Sequence, residues 1–531
     1  MKSQSTRMGN SGRKIKNPYL LGVDIGTLST KGVLTDVNGA VLAKASADHG
    51  VQHPQSGWME HDAECDWWGD FVRVVGKLLE QANVPSEEIA ALCVSGLFPA
   101  VCPADEKGHP LRNAILYADS RAAAKVDYVA TITGTLLKGD EVVPKLLWLQ
   151  KHEPDVFRRT KMVFSVPGYV VYRLTGQHCI DPQTAFRMGG LVDDSRYRWR
   201  ENVCAQLRIP VDFLPPIHSS LHIIGGVSRE AARETGLAAG TPTLVGTTDT
   251  AATLLGNGIV EQGEAMIYYG TTGLLTVCSR DLEEVLTAPR LVDDETPFVL
   301  AAYLLNFGEV LEWFVTRFSE TEKKSTCKAR ELYQVLEEGA AQLPPGSDNL
   351  LAMPHFAGRV LPEVSPYEKG AFFGLSTKHT CLHLWRALLE SFGYEIYRGV
   401  VDLEQRGISI SRVVASGGGA RSKLWRQIVS DITGMPQEYV EHGDSARGAA
   451  FLAGYGLGLF EGLKVMREHW LPVTQVTMPR AEERDKYQRL FNVYRELDSV
   501  LGKYYQALAK VSYEVDAGPD PQQVCSHGRQ Q

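Results

Sequence analysis

Two duplicated α/β domains around a shared interdomain cleft are what this sequence predicts, and three observations carry the prediction. The chain has 531 residues, and single hydrophobic cores stop growing near about 250–300 residues, so two domains of similar size are expected. Strand-like apolar runs alternate with helical patterns, which indicates α/β architecture. The N-terminal pattern of strand, Gly/Thr turn and strand in LGVDIGTLSTKG (21–32) recurs in EAMIYYGTTGLLTVCS (264–279), about 240 residues later, as a duplication would require.

The elements follow in order. YLLGVDI, KGVLTDV and AVLAKAS read as an antiparallel meander within 18–50, with a type I′ hairpin turn expected at Asn38-Gly39. A helical pattern over 64–81 leads to an apolar strand, IAALCVSG (89–96), and then to VVPKLLWLQKH (142–152), where Pro144 suits a first helical turn. TPTLVG is a strand that delivers GTTDTAATLLGNG (246–258) to a small-residue helix. VVASGGGARSKLWRQIVSDITG (413–434) runs from strand through three glycines into an amphipathic helix, and a long charged helix follows residue 480. The expected organisation is a disordered basic arm (1–17), domains over 18–258 and 259–512, and a disordered polar tail (513–531).

With 44% hydrophobic and 22% charged residues and a net charge of -8, the chain is of the soluble globular class and has no electrostatic reason to bind nucleic acid or anionic lipid. A small-molecule ligand is the better expectation. The nine cysteines are scattered without a C-x-x-C pair, which indicates reduced thiols and a cytoplasmic protein. The arm has no apolar core of a signal peptide. The longest apolar runs, FVLAAYLL (298–305) and GAAFLAGYGLGLF (448–460), fall short of the roughly 20 residues that span a bilayer.

Gly/Thr-rich turns let backbone N–H groups approach an anion without Cβ obstruction. Gly26, Thr27, Ser29, Thr30 and Lys31 form one such set, Gly270, Thr271, Thr272 and Gly273 a second, and Gly417, Gly418 and Gly419 a third that opens onto a helix N-terminus. Alone, Gly26 would more often mark an ordinary hairpin; three turns of this kind favour phosphate. No Walker A loop is present. Asp249 stands at a strand end, where α/β clefts hold ligands, although a lone Asp there is more often a helix N-cap. His49, His53 and His61 lack zinc spacing and read as loop or wall residues, and Trp67-Trp68 as core packing. The helix over 480–510 reads as a solvated outer helix, with a coiled-coil partner face as the lesser alternative.

Taken together, D-x-G-T-x-x-x-K at the N-terminus, G-T-T-D-x-A-A at 246–252, Y-G-T-T-G at 269–273, GAFFGLSTKHTCLHLWRALLESFGY (370–394) and GGGARSKLWRQIVSDITG (417–434) closely resemble the FGGY carbohydrate kinases. The xylulokinase-like branch is nearest, and PKLLWLQKHEP (144–154), HPQSGWMEHDAECDWW (53–68) and DSARGAAFLAG (444–454) extend the match over roughly 18–510. The resemblance implies the two-domain actin-like ATPase (ribonuclease H-like) fold, with the sugar site in the N-terminal domain and the nucleotide site in the C-terminal one. It implies ATP and Mg²⁺ as cofactors, with Asp24 holding the hydrated metal, the first turn facing the phosphates, and Gly270 to Gly273 forming the second phosphate turn. Gly417, Gly418, Gly419, Ala420 and Ser422 would form the nucleotide platform, and Asp249 would be the general base.

The sugar side departs from the xylulokinase pattern. Gly96-Leu97-Phe98-Pro99-Ala100 stands where those enzymes carry Gly-Gln-Met-His-Gly, Tyr117-Ala118-Asp119-Ser120-Arg121 where they carry Trp-Asn-Asp-Gly-Arg, and Thr250 where an Asn often follows the catalytic Asp. Phe98, Pro99, Asp119, Arg121, Asp249 and Thr250 are therefore the candidate substrate contacts. The expected activity is ATP-dependent phosphorylation of a terminal hydroxyl, with a ketopentose as leading acceptor. The alternatives are another ketose, a polyol or an aldonate, or a sugar-binding regulator without turnover. The expected partner is a small-molecule sugar, with no nucleic acid and no membrane; the sequence leaves a homodimer open.

Overall fold

The computed structural model describes residues 18–516 apart from 136, 138, 194–196, 281–289, 293–294, 305, 319–328, 360, 362–364 and 442. The arm over 1–17 and the tail beyond 516 lie outside the described residues. The chain forms two units: the first comprises Met1–Gln262, Cys278–Phe298 and Glu441–Pro472, the second Gly263–Val277, Val299–Val440 and Val473–Gln531.

The first unit begins with the antiparallel meander β1 (Tyr19–Ile25), β2 (Ser29–Asp36) and β3 (Val41–Asp48). Its second turn is not type I′, which needs positive φ at both central residues. Only Gly39 has it, at 82°, and the Asp36 carboxylate accepts from the backbone of Asn38 and Ala40 at 2.9 and 2.8 Å, making a longer Asx-type loop. Helix α1 (Asp70–Ala82) covers one face of the meander and β4 (Ile89–Gly96) pairs parallel to β1. After α2 (Val142–His152) and α3 (Val166–Thr175) come β5 (Ile223–Gly226), β6 (Pro242–Leu244), β7 (Thr247–Thr248) and α4 (Asp249–Gly256). The sheet order is β5-β6-β4-β1-β2-β3, with β7 also on β4.

The second unit repeats this plan. Strands β8 (Glu264–Tyr269), β9 (Gly273–Cys278) and β10 (Glu295–Leu304) are successive neighbours. Helix α5 (Cys381–Gln405) precedes β11 (Arg412–Ser416), which pairs parallel to β8. Helix α6 (Lys423–Thr433) leads to β12 (Gln437–Tyr439), parallel to β11. The chain then returns to the first unit as α7 (Ser445–Gly456) and to the second as β13 (Gln475–Thr477), antiparallel to β12, and α8 (Ala481–Asp516). The order β13-β12-β11-β8-β9-β10 matches β5-β6-β4-β1-β2-β3, with one added edge strand (Arg290–Val292) beyond β10, so the internal repeat expected from two glycine turns extends over six strands of each sheet.

Trp67, Phe71, Val74 and Leu78 close the core beneath the first sheet, and Trp68 packs with Phe71 in the same cluster. The opposite face is covered by α7, which approaches closely because glycine stands at each contact. A Cβ on Gly22 would lie 2.0 Å from Ala446 O, one on Gly448 2.0 Å from Ala252 O, and one on Gly256 1.9 Å from Asp444 O. The seven cysteines among the described residues are free, and no described helix is long and apolar enough to cross a membrane.

Gly448→Ala should lower the urea-unfolding stability of the first unit by about 1–3 kcal/mol, because the methyl must displace α4 backbone. Gly76→Ala, on the exposed side of α1 with open space around its Cβ, should instead raise it by about 0.5–1 kcal/mol. A neutral Gly448→Ala would show that the α4–α7 contact yields freely.

Candidate functional site

In the first unit, the C-terminal ends of three adjacent strands gather the polar residues. Register pairs Asp24 of β1 with Ser95 of β4, and Thr247 of β7 with the same Ser95. Asp24, buried, accepts from Ser95 Oγ at 2.7 Å and from the Ser445 side chain at the start of α7. Burial pushes its carboxyl up, and Lys31 pulls it down.

Asp249 follows β7 directly. The bland reading of an Asp here, a helix N-cap, is taken by its neighbour: Thr248 caps α4, its side chain accepting from Ala251 N at 3.2 Å. Asp249 Oδ1 accepts from Thr250 N at 2.5 Å and Thr250 Oγ1 at 3.1 Å, while Oδ2 takes no hydrogen bond among the described residues. Burial first, and the charge of Asp24 second, push the Asp249 carboxyl up to about 7. The result is a carboxylate that can hold or release a proton near neutrality, with a free oxygen.

The first turn is held from beneath by histidines. His49 Nε2 meets Gly26 O at 3.0 Å and its Nδ1 meets Asp70 at 2.7 Å. His61 Nε2 donates to Thr27 O at 3.1 Å while its Nδ1 accepts from Trp67 at 3.2 Å. Burial drives the His61 imidazole down to about 4, so it stays neutral and structural at ordinary pH. Thr27 and Ser29 are half-buried and Lys31 exposed, but Thr30 does not join them: strand alternation turns its side chain to the opposite face of β2, where it is fully buried. Thr30 is thus a packing residue, a correction to the expected donor set.

Phe98 and Pro99 continue from β4, next to Ile25, whose carbonyl accepts from Leu97 N at 2.9 Å. Phe98 is half-buried and Pro99 buried. Asp119 and Arg121 behave differently from the expectation. Asp119 spends both oxygens on Met59 N (2.6 Å) and on Arg121 (2.6–2.8 Å), and the guanidinium stacks 3.7 Å from the centroid of the Trp58 ring and pairs with Glu60. They brace each other and the 58–60 segment, because a desolvated carboxylate and guanidinium must pair.

Two residues before Asp119 stands Tyr117, whose hydroxyl lies 3.4 Å from Thr27 Oγ1. Behind it, Lys145 of α2 is wholly buried and donates to Tyr117 O at 3.3 Å and Asp140 O at 2.5 Å, with its ammonium pushed down to about 8 by burial. Arg187 pairs with Asp140 at 2.5 Å, from the end of a short helix (Pro182–Phe186) packed against β7. Tyr117, Lys145, Ser95 and Ser445 were not among the expected site residues. A lone lysine inside the apolar run VVPKLLWL was the available signal for one of them.

In the second unit, Gly270 to Thr272 follow β8 and Gly417 to Gly419 follow β11, its parallel neighbour, so both turns lie at one sheet end. Gly417 has φ of 94°, and its Cβ would lie 2.6 Å from Tyr269 O; Gly418 is exposed with open space around it. Gly308 stacks on the 270–271 backbone, donating to Thr271 O at 2.9 Å. Three members of the expected set are otherwise engaged. Gly273 makes room for the Phe392 ring, Ala420 is buried, and Ser422 caps α6 through Trp425 N (3.0 Å) while donating to Glu337 (2.8 Å). Gly418 and Thr271 are exposed and Gly417 and Thr272 half-buried, so of the expected set these four keep surface toward solvent.

Comparison with known proteins bears on what these ends hold. Residues 19–256 match the model of the N-terminal domain of the FGGY family of carbohydrate kinases, and residues 265–457 that of its C-terminal domain. The chain is 30% identical over 491 residues to the xylulose kinase of Escherichia coli (strain K12), covering 90% of this chain and 98% of that protein. It is 28% identical over 510 residues to the gluconokinase of Bacillus subtilis (strain 168), covering 92% and 98%. The crystal structure of xylulose kinase from Rhodospirillum rubrum superposes with a TM-score of 0.80 at 28% identity, covering 92% of this chain and all (100%) of that one. With the duplicated sheet, both domain models and a relative of this identity in agreement over nearly its whole length, the chain belongs to the FGGY family of carbohydrate kinases, phosphotransferases that act on an alcohol group of a sugar.

Proposed function

We propose that the chain transfers the γ-phosphoryl group of ATP to a terminal hydroxyl of a ketose, with a xylulose-like ketopentose as leading acceptor and Asp249 as general base. The observation that supports this most is the Asp249 carboxylate: uncapped, with one oxygen free, and raised toward neutrality beside Asp24. A sugar hydroxyl is a weak nucleophile at pH 7, and a carboxylate poised near that pH is well matched to take its proton. Asp249 Oδ2 accepts the hydroxyl proton as the acceptor oxygen bonds to the γ-phosphorus, and the bond from phosphorus to the bridging oxygen breaks to release ADP. Thr250 fixes the Asp249 rotamer through Oδ1, so the free oxygen keeps its aim. ATP as donor places this reaction in the cytoplasm.

The residues fit a hydrated divalent cation. The charge of Asp24 raises the Asp249 carboxyl, a like-charge repulsion that a cation relieves. Among the described residues no cluster of three or more His, Cys, Asp or Glu side chains is arranged to hold a metal, so Mg²⁺ would be held by Asp24 largely through water. When bound, it supplies neutralisation of phosphate charge. Gly26, Thr27, Ser29 and Lys31 offer donors to phosphate from the first unit, and Thr271, Thr272, Gly417 and Gly418 offer them to the nucleotide from the second.

The acceptor side is less polar than in xylulokinases. Phe98 and Pro99 occupy the stretch where a polar contact is expected, Asp119 and Arg121 are consumed by each other, and the Tyr117 hydroxyl lies 3.4 Å from Thr27 Oγ1 of the first turn. The reading therefore has D-xylulose as a modest substrate and favours an acceptor with a less polar or differently placed group toward Phe98 and Pro99. A coupled ADP-release assay across purified ketoses, polyols and aldonates tests this. The expected result is sugar-dependent ADP release with a best acceptor other than D-xylulose; D-xylulose leading in kcat/KM would overturn the specificity reading.

Asp249→Asn should fold and bind nucleotide normally but lose about 10²–10⁴-fold in kcat, the usual worth of a general base. Near-normal turnover would assign proton transfer to another group. With the base ionised only above its raised pKa, kcat/KM for the sugar should fall as pH drops below about 7. A profile flat down to the ordinary carboxylate range, near about pH 4, would remove Asp249 from that role.

A further inference from the structure

Three consecutive carbonyls of the first turn are taken by donors on the protein side. His49 Nε2 lies 3.0 Å from Gly26 O, His61 Nε2 donates to Thr27 O at 3.1 Å, and the backbone N–H of His49 donates to Leu28 O at 3.0 Å. In a trans peptide the carbonyl and the N–H that follows it point to opposite sides. Holding Gly26 O and Thr27 O therefore turns the amides of Thr27 and Leu28 outward. Neither amide donates to anything among the described residues, and Leu28 is 61% exposed.

The two imidazoles hold the turn in different protonation states. Trp67 donates to His61 Nδ1 at 3.2 Å, so Nε2 carries that ring's only proton. His49 has no donor beside it. Its Nδ1 lies 2.7 Å from the Asp70 carboxylate and its Nε2 faces a carbonyl, and both of those groups accept. Asp70 is fully buried on α1 and pairs through its other oxygen with Arg73, which keeps it ionised. Both nitrogens of His49 therefore donate, and an imidazolium stands beneath the turn with 2% of its side chain exposed. Asp70 and Arg73 face it from α1, and Asp66 and His61 from the segment before α1. Its charge adds to burial in pushing the His61 imidazole down and opposes burial at the Asp66 carboxyl.

We propose that His49 is a positioning residue for the phosphoryl donor: clamped between Asp70 and Gly26 O, it aims the Thr27 and Leu28 amides at a phosphate and sets a positive charge beneath them. The inference rests on the reading of this turn as a phosphate turn. An ordinary hairpin needs no such device, because a neutral ring such as His61 holds a carbonyl equally well and burying an ion pair costs desolvation. The imidazolium does two things that a neutral ring cannot. It bonds Asp70 and Gly26 O at once, which ties the turn to α1, and by donating to Gly26 O it polarises the Gly26–Thr27 peptide, so the Thr27 N–H becomes a stronger donor to an anion.

Calorimetric titration with ATP, beside coupled ADP release with D-xylulose, tests this. Asp70→Asn keeps the size of the side chain but removes the charge that holds the second proton, and His49→Gln leaves an amide that cannot span both acceptors. Each should weaken ATP binding and raise KM for ATP at least about tenfold, the worth of a hydrogen bond to a charged group, while KM for D-xylulose stays within about twofold. The double variant should be no weaker than His49→Gln alone, because Asp70 acts through the ring. Nitrogen NMR of histidine-labelled wild type at neutral pH should show His49, assigned by its change in Asp70→Asn, with both ring nitrogens protonated. Should His49→Gln not fold, Asp70→Asn and the ring signals decide. Unchanged ATP affinity, equal losses for ATP and D-xylulose, additive losses in the double variant, or a His49 ring with one proton would each overturn the proposal. A wild type that binds ATP but releases no ADP with any sugar would count against the proposed function, and the ATP affinities and ring signals would still decide this inference.

Discussion

Two carboxylates held at the ends of nearby strands, Asp24 buried and Asp249 half-buried, set the terms for the first unit. Asp24 ends β1 and Asp249 follows β7, with β4 between them, so sheet geometry fixes their approach. Burial and the charge of Asp24 push the Asp249 carboxyl up to about 7, so the ionised form is disfavoured at this strand end. Ser95 and Ser445 donate to Asp24, Lys31 lies nearby, and the N-terminal ends of α4 and α7 add partial positive charge. Those helix ends come close enough only because Gly22, Gly256 and Gly448 lack side chains. Carboxylate placement and helix packing are therefore linked: the glycines that let α7 lie on the sheet also bring Ser445 to Asp24.

Much of this was legible in the sequence, and the reasons differ by level. Strand and helix existence followed from periodicity, and the duplicated sheet from two similar glycine turns. The return of α7 to the first unit was not legible, because the apolar pattern of 445–456 says that a helix is buried but not against which sheet. At the site, motif spacing found Asp24 and Asp249 but could not tell which motif residues face outward. Thr30, Gly273 and Ser422 sit within phosphate-like turns yet serve the β2 interior, the Phe392 ring and the α6 cap. Sequence shows that a residue belongs to a turn; alternation and packing decide its direction.

The acceptor side shows the same limit in another form. Asp119 and Arg121 read as substrate contacts because polar residues at a motif position usually are. Here they neutralise one another under Trp58, while Lys145 donates to the backbone carbonyl of the neighbouring Tyr117. With Phe98 and Pro99 alongside, the region offers fewer independent hydrogen-bonding groups than the xylulokinase pattern, and discrimination among acceptors depends on such groups more than on apolar contact.

The central claim is that Asp249 titrates near neutrality because of burial and Asp24, and this can be observed without turnover. Infrared difference titration of the carboxyl band, assigned by its loss in Asp249→Asn, should show Asp249 gaining its proton near pH 7 in the wild type and at distinctly lower pH in Asp24→Asn. An Asp249 band that titrates in the ordinary carboxylate range in the wild type, or one that does not move when the Asp24 charge is removed, would contradict the account.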